Sequence, residues 1–328
     1  MACVNKVCDE KAAGKKPYPL YKSMWCKQLL AVELQTNGHS FVQYEIMLPR
    51  SSTYSINGLS MHVLEAGAPG RPVIIFLHGF PEAAVSWTWH LNFFAQQGYH
   101  AIAPDQRGYG RTDKPKGIDA YHISLLVEDV RQLILHFSDV SVALVGHDWG
   151  GCVAWHLAAQ HPELLKQLVI INMPHPTVMG ETLINSADQK KRSSYIAFFQ
   201  LPLLPEWASS MGNYFLLRRM LRRTSRPETF GQRQITQYLF NWQQKGALQA
   251  MINWYRAYQF APKPTNKMVV PTRILWGKRD AFLQWQMAEK SLALCEHATL
   301  KFWDNATHWL HHEYKEAVAA SINEFLEA

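Results

Sequence analysis

One aspartate lies at the centre of a glycine-rich turn whose spacing suits a nucleophile. The segment Gly146-His147-Asp148-Trp149-Gly150-Gly151 follows an apolar run at 142–145 and precedes a predicted helix. Small residues on both sides let such a turn project its central side chain above the strand end, where the helix N-terminus favours negative charge. A carboxylate there would form an ester with an electrophilic sp3 carbon, as in an epoxide or a halide. The alternative, a simple helix cap at Asp148, is less favoured because of the surrounding glycines.

Two later residues complete a set of three in chain order. Asp280 follows the apolar run 272–276, and His308 follows a short predicted strand near 300–303. The order nucleophile, acid, histidine is that of the α/β-hydrolase fold. His308 would act as general base on water, and Asp280 would hold the required tautomer of its ring. Asp304 is the alternative acid, which we interpret as a surface loop residue.

The positions of residues relative to the predicted strands also indicate the environment of two other histidines and the backbone groups that would stabilise an oxyanion. We interpret His311 and His312 as solvated helix residues, since His308 alone stands at the strand end. Backbone N–H groups should stabilise the oxyanion. Phe80, just after the apolar run 73–77, and Trp149, just after the predicted nucleophile, are the candidate donors.

The elements that must position these residues predict an α/β fold. Apolar runs without a polar face occur at 73–77, 101–103, 142–145, 168–171 and 272–276, as in parallel strands covered on both sides. Helical periodicity occurs at 121–137 and 150–165, so strands and helices alternate. Alternating patterns at 41–48 and 59–64 predict two further strands separated by a turn at Asn57-Gly58.

The alternation stops between about 175 and 262, where the chain is helical, aromatic and interrupted by prolines. We predict four parts: an N-terminal extension (1–35), a first core part (36–174), a helical lid or cap (175–262) and a second core part (263–328). The sheet would be mainly parallel with helices on both faces, and the lid would be inserted late in it. A lid over the carboxyl ends of the strands would cover the place where such sheets bind ligands.

Composition excludes several classes of protein. The chain has 328 residues, 48% hydrophobic and 18% charged, which is typical of a globular protein and not of a disordered or collagen-like one. No apolar run reaches the length of a membrane span, and the first residues do not predict a secretory signal. Five cysteines without paired spacing suggest free thiols in a reducing, cytoplasmic setting, and no zinc site is predicted.

Three motifs together resemble a known family. They are His78-Gly79-Phe80-Pro81-Glu82, Asp105-Gln106-Arg107-Gly108-Tyr109-Gly110 and the turn at 146–151. Over about residues 40–325 the chain resembles the epoxide hydrolases of the α/β-hydrolase fold. The first and third motifs are also shared with haloalkane and fluoroacetate dehalogenases, so the lid must distinguish these families.

In the family, two lid tyrosines point at the substrate oxygen. The stretch 194–202, which ends Phe-Gln-Leu-Pro, matches the first position and implies that role for Tyr195. Asn253-Trp254-Tyr255-Arg256 matches the second and implies it for Tyr255. A phenol can donate a proton to the alkoxide that ring opening develops, whereas a halide needs none. The competing interpretation is that both tyrosines are ordinary lid core.

The loop that contains His308, which we call the histidine loop, departs from the family pattern. The residue before the histidine is Thr307 rather than a small residue, and the usual proline a few residues later is absent. Asn172, after the run 168–171, is no carboxylate, so the acid position that some dehalogenases use is empty. This supports Asp280 as the acid.

The resemblance implies a reaction and a pocket. An epoxide would become a vicinal diol through an ester on Asp148, without a metal ion or organic cofactor. Pocket positions would include His78, Pro81, Phe198, Phe199 and Trp309. The apolar lid suggests bulky or lipid epoxides. A dehalogenase and a non-catalytic ligand-binding member of the fold stay open as alternatives.

The net charge of +7 is concentrated in the predicted lid. Residues 176–262 carry eleven Lys and Arg against four Asp and Glu, while the rest of the chain is balanced. This is either a solvated helical face or a surface that docks on anionic lipid. Nucleic-acid binding has no supporting motif. The expected partners are therefore a small epoxide and, at the periphery, an anionic membrane.

Overall fold

The computed structural model of the protein describes residues 48–258 and 267–328. The predicted extension at 1–35 and residues 41–47 of the first predicted strand lie outside the described residues. Within them the chain forms an eight-stranded sheet with helices on both faces. Cys152 and Cys295 are free thiols.

The sheet is mainly parallel, as predicted. Its order is β1-β2-β4-β3-β5-β6-β7-β8, and β2 alone runs antiparallel to its two neighbours. The carboxyl ends of β3, β5, β6, β7 and β8 therefore meet at one edge. The strands are β1 (Arg50–Ile56), β2 (Leu59–Ala66), β3 (Val73–Leu77), β4 (His100–Pro104), β5 (Val142–His147), β6 (Leu165–Ile171), β7 (Thr272–Gly277) and β8 (Ala298–Trp303).

Helices cover both faces of this sheet. Side chains of β3 alternate: Ile75 and Leu77 pack on one side with residues of α2 and α3, and Ile74 and Phe76 on the other with residues of α1 and α12. This alternation is why the strands read as continuous apolar runs. The core helices are α1 (Thr88–Gln96), α2 (Ile123–Phe137), α3 (Trp149–Gln160), α10 (Gln286–Leu292), α11 (Leu310–Glu313) and α12 (Lys315–Glu327).

Six described helices lie between β6 and β7, and we call them the inserted helices. They are α4 (Pro176–Asn185), α5 (Ala187–Arg192), α6 (Ser194–Phe199), α7 (Leu204–Thr224), α8 (Gln232–Trp242) and α9 (Ala247–Tyr258). Helix α7 is interrupted at Met211–Tyr214, where Gly212, Asn213 and Tyr214 have left-handed backbone angles. The predicted lid at 175–262 corresponds to this segment, and its function as a lid stays a prediction.

Two element boundaries differ from the sequence prediction. The first described strand is Arg50–Ile56, which pairs with β2 across the predicted turn at Asn57-Gly58. It is an edge strand with mostly exposed serines and threonine, so it lacks the apolar alternation that would reveal it. The helix predicted over 150–165 ends at Gln160, because Pro162 has no N–H to continue it.

None of the described helices combines the length and apolar character that crossing a membrane requires.

Candidate active site

The turn that carries Asp148 has the geometry predicted from its glycines. Strand β5 ends at His147 and α3 begins at Trp149, so Asp148 alone joins them with a left-handed φ of 50°. A Cβ on Gly146 would lie 2.5 Å from the Gly150 carbonyl oxygen, and one on Gly150 would lie 2.3 Å from that of Leu77. The turn therefore requires glycine at both positions.

The Asp148 carboxylate lies between a backbone donor and a histidine. The Phe80 N–H donates to Oδ1 at 2.9 Å, and Nε2 of His308 lies 3.5 Å from Oδ2. Burial alone would raise the pKa of Asp148, but the His308 hydrogen bond and charge outweigh burial and lower it. Trp149 stands in the first turn of α3, where N–H groups have no intrahelical acceptor. The Phe80 N–H thus contacts this carboxylate, whereas the role of the Trp149 N–H as an oxyanion donor stays a prediction.

Asp280 and His308 meet although 28 residues separate them. Nδ1 of His308 lies 2.7 Å from Oδ2 of Asp280. The same oxygen accepts a hydrogen bond from the Asn172 side-chain amide at 2.8 Å. Oδ1 of Asp280 accepts from the N–H groups of Phe282 and Leu283 at 2.7 and 3.0 Å. Together these contacts fix the orientation of the carboxylate toward His308.

The charge on His308 depends on both carboxylates. Burial by itself would lower the pKa of His308, but the charges of Asp280 and Asp148 and their hydrogen bonds raise it to about 10. The imidazole is therefore protonated at neutral pH as long as Asp148 is ionised. Nδ1 faces Asp280 and Nε2 faces Asp148, so a ring that loses the Asp148 charge is left with Nε2 free to accept a proton.

A cavity of about 200 Å³ is lined by four of the five predicted catalytic residues, together with other residues of the inserted helices, and Asp280 is not part of its described wall. We call it the Asp148 cavity. Tyr195 of α6 and Tyr255 of α9 line it opposite Asp148, with ring centroids 5.9 Å apart. Its described lining consists of Phe80, Asp148, Tyr195, Phe198, Phe199, Ser209, Leu216, Leu217, Met220, Tyr255, Phe282 and His308.

Both tyrosines are held in the protonated state. Burial, together with the nearby negative charge of Asp148, raises the pKa of Tyr195 and of Tyr255 well above the usual value. A phenol with a raised pKa stays a hydrogen-bond donor at neutral pH, where Asp148 is ionised. The Tyr255 ring also packs edge-on against Trp149 at 4.9 Å and Phe80 at 5.3 Å.

Of the five residues predicted to line the pocket, Phe198 and Phe199 line the Asp148 cavity and the other three are not part of its described wall. His78 is fully buried, with Nδ1 at 3.0 Å from the Gly79 carbonyl oxygen and Nε2 accepting from the Gln106 N–H. The Pro81 carbonyl accepts from the Trp242 indole at 2.6 Å. Trp309 donates to Thr224 from a fully buried position. Each of the three is engaged in packing rather than facing the cavity.

The prediction that His311 and His312 are solvated is wrong. The side chain of His311 is 0% exposed and that of His312 is 13% exposed. Both contact Glu82 of the first motif, which also faces His147. Helix α11 has only four residues, too few for sequence periodicity to distinguish its buried face from its exposed one.

Sequence reasoning also missed Glu313, which holds the histidine loop by hydrogen bonds. Glu313 accepts hydrogen bonds from the N–H and hydroxyl groups of Thr307 at 2.8 and 2.7 Å, and from the Arg226 N–H at 2.8 Å. These contacts give the loop a defined path without the family proline. Asp304 is a surface residue paired with Lys278 at 2.8 Å, in agreement with its interpretation.

Comparison with known proteins agrees with the fold. Residues 72–314 match the family model of the alpha/beta hydrolase fold. The chain is 43% identical over 274 residues to the AB hydrolase superfamily protein YfhM of Bacillus subtilis, which covers 83% of this chain and 96% of that protein. It is 35% identical over 280 residues to human epoxide hydrolase 4, covering 83% of this chain and 76% of the relative.

Solved structures give the same result. The chain is similar to an epoxide hydrolase from Bacillus megaterium, solved with an inhibitor, with a TM-score of 0.78 and 26% identity over 84% of this chain and 100% of that one. The family model spans most of the chain, and the human relative is matched over more than two thirds of its length. The chain therefore belongs to the α/β-hydrolase fold family and, within it, is an enzyme of the epoxide hydrolase family.

Proposed function

We propose that the enzyme converts an epoxide to a vicinal diol in two steps through an ester on Asp148. In the first step the free oxygen, Oδ2, attacks an epoxide carbon and the ring C–O bond breaks. The bonding electrons pass to the ring oxygen, which takes a proton from Tyr195 or Tyr255. The product is a hydroxyalkyl ester of Asp148 and one tyrosinate. The His308 imidazolium, which has lost its counter-ion, then gives up its Nε2 proton, and the tyrosinate takes up a proton, so both groups are neutral before the second step.

In the second step water hydrolyses that ester. His308 accepts a proton from water through Nε2, and the hydroxide oxygen attacks the carbonyl carbon of the Asp148 ester. The negative charge that develops on Oδ1 is stabilised by the N–H groups of Phe80 and Trp149. Collapse of this intermediate breaks the ester C–O bond, and the departing alkoxide takes the proton of the water-derived hydroxyl. The diol leaves, Asp148 is again a carboxylate that contains the oxygen from water, and His308 is again an imidazolium.

One observation carries this proposal: His308 lies between the carboxylates of Asp280 and Asp148, at 2.7 and 3.5 Å. Before the reaction the ring is an imidazolium that keeps Asp148 ionised. Esterification removes the charge of Asp148, so the pKa of His308 falls and its Nε2 becomes a base. The loss of the nucleophile's charge thus prepares the base for the second step.

Substitution of His308 tests the covalent route. In His308→Gln the ester should form and persist, because nothing activates water. Intact-protein mass spectrometry after addition of styrene oxide should show a gain equal to one epoxide, located by digestion on Asp148. Asp148→Asn is the matched control and should show no adduct. A diol produced by His308→Gln at the wild-type rate, without an adduct, would contradict the proposal.

Isotope labelling gives an independent readout. In a single turnover with excess enzyme in water enriched in ¹⁸O, the label should enter the Asp148 carboxylate and not the diol. Label appearing directly in the diol means that water itself opens the ring. Incubation with a chloroalkane serves as the test of the dehalogenase alternative, for which we expect no halide release.

The lining of the Asp148 cavity supports an apolar substrate. The space in front of Asp148 is surrounded by apolar side chains: Phe198, Phe199, Leu217 and Met220. Leu216 also lines it, and this side chain is 47% exposed to solvent. The cavity therefore reaches the surface beside Leu216. We infer that the inserted helices act as a lid and that a lipid epoxide extends its chain through this opening. A higher kcat/KM for a mid-chain epoxy fatty acid ester than for a short terminal epoxide supports this; equal values would not.

The outer side of the same helices suits contact with a membrane. Leu203 is 73% exposed, Trp207 61% and Phe215 51%, at the beginning and middle of α7. Exposed arginines follow on this helix at Arg219, Arg222, Arg223 and, just after it, Arg226. Exposed aromatic and aliphatic residues beside a basic segment are typical of interfacial binding. We propose that this surface docks on anionic lipid and brings the cavity opening to the substrate.

Vesicle co-sedimentation tests the docking surface. Binding to vesicles with anionic lipid should exceed binding to neutral vesicles and fall with salt. Trp207→Ser with Phe215→Ser should reduce it several-fold. Ile184→Ser is the matched control, since Ile184 of α4 is also an inserted-helix residue and is 67% exposed. Binding that is independent of lipid charge and of these substitutions would exclude the docking surface.

A further inference from the structure

A group of ionisable side chains lies directly behind the turn that carries Asp148. Glu82, His147, His311 and His312 form this group, which we call the Glu82 cluster. The side chains of Glu82, His147 and His311 are 0% exposed. The chemistry proposed for Asp148 and His308 does not use them. A buried carboxylate must have its charge compensated, so the partners of each oxygen are informative.

The two oxygens of Glu82 have different surroundings. Oε1 accepts from the Tyr238 hydroxyl at 2.6 Å and lies 2.6 Å from Nε2 of His312. Oε2 has no hydrogen-bond partner, although Nδ1 of His147 and Nε2 of His311 each lie 3.3 Å away. Oε2 therefore faces two ring nitrogens with which it makes no hydrogen bond.

The tautomer of His147 makes this arrangement informative. Its Nε2 lies 2.9 Å from the carbonyl oxygen of His308, which can only accept, so Nε2 carries a hydrogen. In the neutral ring Nδ1 then presents a lone pair toward the lone pairs of Glu82 Oε2. A proton held between them would draw the two atoms to about 2.7–2.9 Å, as in charge-assisted hydrogen bonds. The observed 3.3 Å is longer.

Two of the three separations match those between neighbouring ligand atoms of a tetrahedral metal ion. Zinc lies about 2.0–2.1 Å from His nitrogen and about 2.0–2.2 Å from carboxylate oxygen, so neighbouring ligand atoms are roughly 3.4 Å apart. Both distances from Oε2 are 3.3 Å, and all three candidate ligand atoms lie within 4.8 Å of one another.

The surrounding hydrogen bonds are those that metal ligands usually have. A ligating histidine commonly donates its second N–H to a backbone carbonyl, as His147 does to His308. A ligating carboxylate is commonly hydrogen-bonded through its other oxygen, as Glu82 is by Tyr238 and His312. Two imidazoles and one carboxylate select a transition metal over Mg²⁺ or Ca²⁺, which prefer oxygen ligands.

We propose that Glu82, His147 and His311 bind one divalent transition-metal ion of the Zn²⁺ type through Oε2, Nδ1 and Nε2. A water molecule would complete the tetrahedral set, and full burial of the three side chains keeps substrate from that position, so the ion would be structural and not catalytic. The ion compensates the Glu82 charge and, through His147, fixes the carbonyl of His308. It would therefore hold the histidine loop in place from behind while the chemistry takes place in front.

Metal analysis of the full chain tests the proposal. After removal of loosely bound metal by a chelator and equilibration with Zn²⁺, we expect about one zinc per chain by mass spectrometry of the elements. His311→Gln should lose it or bind at least tenfold more weakly. Replacement of Zn²⁺ by Co²⁺ should give the visible absorption of tetrahedral cobalt, and His311→Gln should abolish that absorption.

Two further variants separate ligation from general damage. His312→Gln removes the contact with Glu82 Oε1 and changes the packing on the His311 ring, 4.2 Å away, but removes no proposed ligand, so zinc binding should weaken by roughly tenfold without being abolished. His175→Gln is the matched control, a buried histidine outside the Glu82 cluster, and should retain the wild-type stoichiometry.

The melting temperature gives a readout that does not depend on turnover. Added Zn²⁺ should raise it by several degrees in wild type and in His175→Gln but not in His311→Gln. Equal zinc content in wild type and His311→Gln would overturn the proposal. So would an experimental structure, grown with Zn²⁺, that shows a water molecule between Glu82 and the two rings.

Discussion

Nε2 of His308, in the loop after β8, lies 3.5 Å from Oδ2 of Asp148, in the turn after β5. The contact joins residues 160 positions apart in the sequence and makes each the counter-ion of the other. It lowers the pKa of Asp148 and, together with the charge of Asp280, raises the pKa of His308. In the proposed mechanism the contact is broken by the reaction itself, when Asp148 becomes an ester.

Removal of one phenol should slow ring opening specifically. For Tyr255→Phe we expect the rate of ester formation to fall by about 100-fold, because general acid catalysis typically contributes about 10²–10⁴. Tyr195→Phe should show a loss of similar size, and the double variant should lose most of the activity. The rate is measured by stopped-flow tryptophan fluorescence, since Trp149 contacts the Tyr255 ring.

Tyr214→Phe is the matched control for these variants. Tyr214 also belongs to the inserted helices, but its hydroxyl donates to the Trp242 carbonyl at 3.0 Å and it is not part of the described wall of the Asp148 cavity. Its rate of ester formation should stay close to wild type. A Tyr255→Phe enzyme with an unchanged rate would exclude this phenol as proton donor.

The two steps should respond differently to acid. Ester formation needs ionised Asp148, whose pKa is lowered, so this step should stay constant on acidification down to about pH 4. Ester hydrolysis needs neutral His308. The pKa of about 10 in the free enzyme falls once Asp148 is esterified, so hydrolysis should slow as pH decreases through the reduced value.

Pre-steady-state rates for both steps, measured from pH 5 to pH 9, check this order. As the pH is lowered, the rate of ester hydrolysis should begin to fall at a higher pH than the rate of ester formation. An ester-formation rate with the same acidic limb as hydrolysis would contradict the assignment of separate groups to the two steps.

Asn172 should act as a positioning residue for the acid. Its side-chain amide donates to Asp280 Oδ2 at 2.8 Å, on the same oxygen that faces His308. In Asn172→Ala the carboxylate loses one of its donors and can rotate away from the ring. We expect hydrolysis to slow by about tenfold, a loss of about 1.4 kcal/mol of transition-state stabilisation, while ester formation changes little.

How the loss of rate in Asn172→Ala divides between ester formation and ester hydrolysis tests this role. The ester should accumulate during turnover, and its amount is measured by mass spectrometry of quenched samples. Asp280→Asn should accumulate more of it, because that substitution favours the wrong tautomer of His308. Equal slowing of both steps in Asn172→Ala would indicate a general structural loss instead.

Glu313 should stabilise the histidine loop. Glu313→Ala removes three hydrogen bonds, two to Thr307 and one to the Arg226 N–H. At about 0.5–1.5 kcal/mol each, the free energy of unfolding should fall by about 2–3 kcal/mol in urea titration. Glu313→Gln keeps one oxygen acceptor and should lose about half as much. A change below about 0.5 kcal/mol in Glu313→Ala would show that these contacts do not hold the loop.

Local sequence patterns were sufficient for the fold class and for most strands. Parallel strands covered on both faces need continuous apolar runs, and these runs stand out at β3, β5, β6 and β7. The edge strand β1 was missed for the converse reason, since its polar residues face solvent. The turn at Asp148 was predictable because its glycines are required by close contacts with residues a few positions away and with the neighbouring strand.

By itself, the sequence determined which side chains could serve as nucleophile, acid, base and proton donors, because each follows a recognisable strand or motif. Only the tertiary structure decided what surrounds them. The hydrogen bond from Asn172 to Asp280, the burial of His311 against Glu82 and the path of the loop fastened by Glu313 all join residues far apart in the chain. The charge and accessibility of a side chain depend on its neighbours in space, and periodicity along the chain carries no information about them.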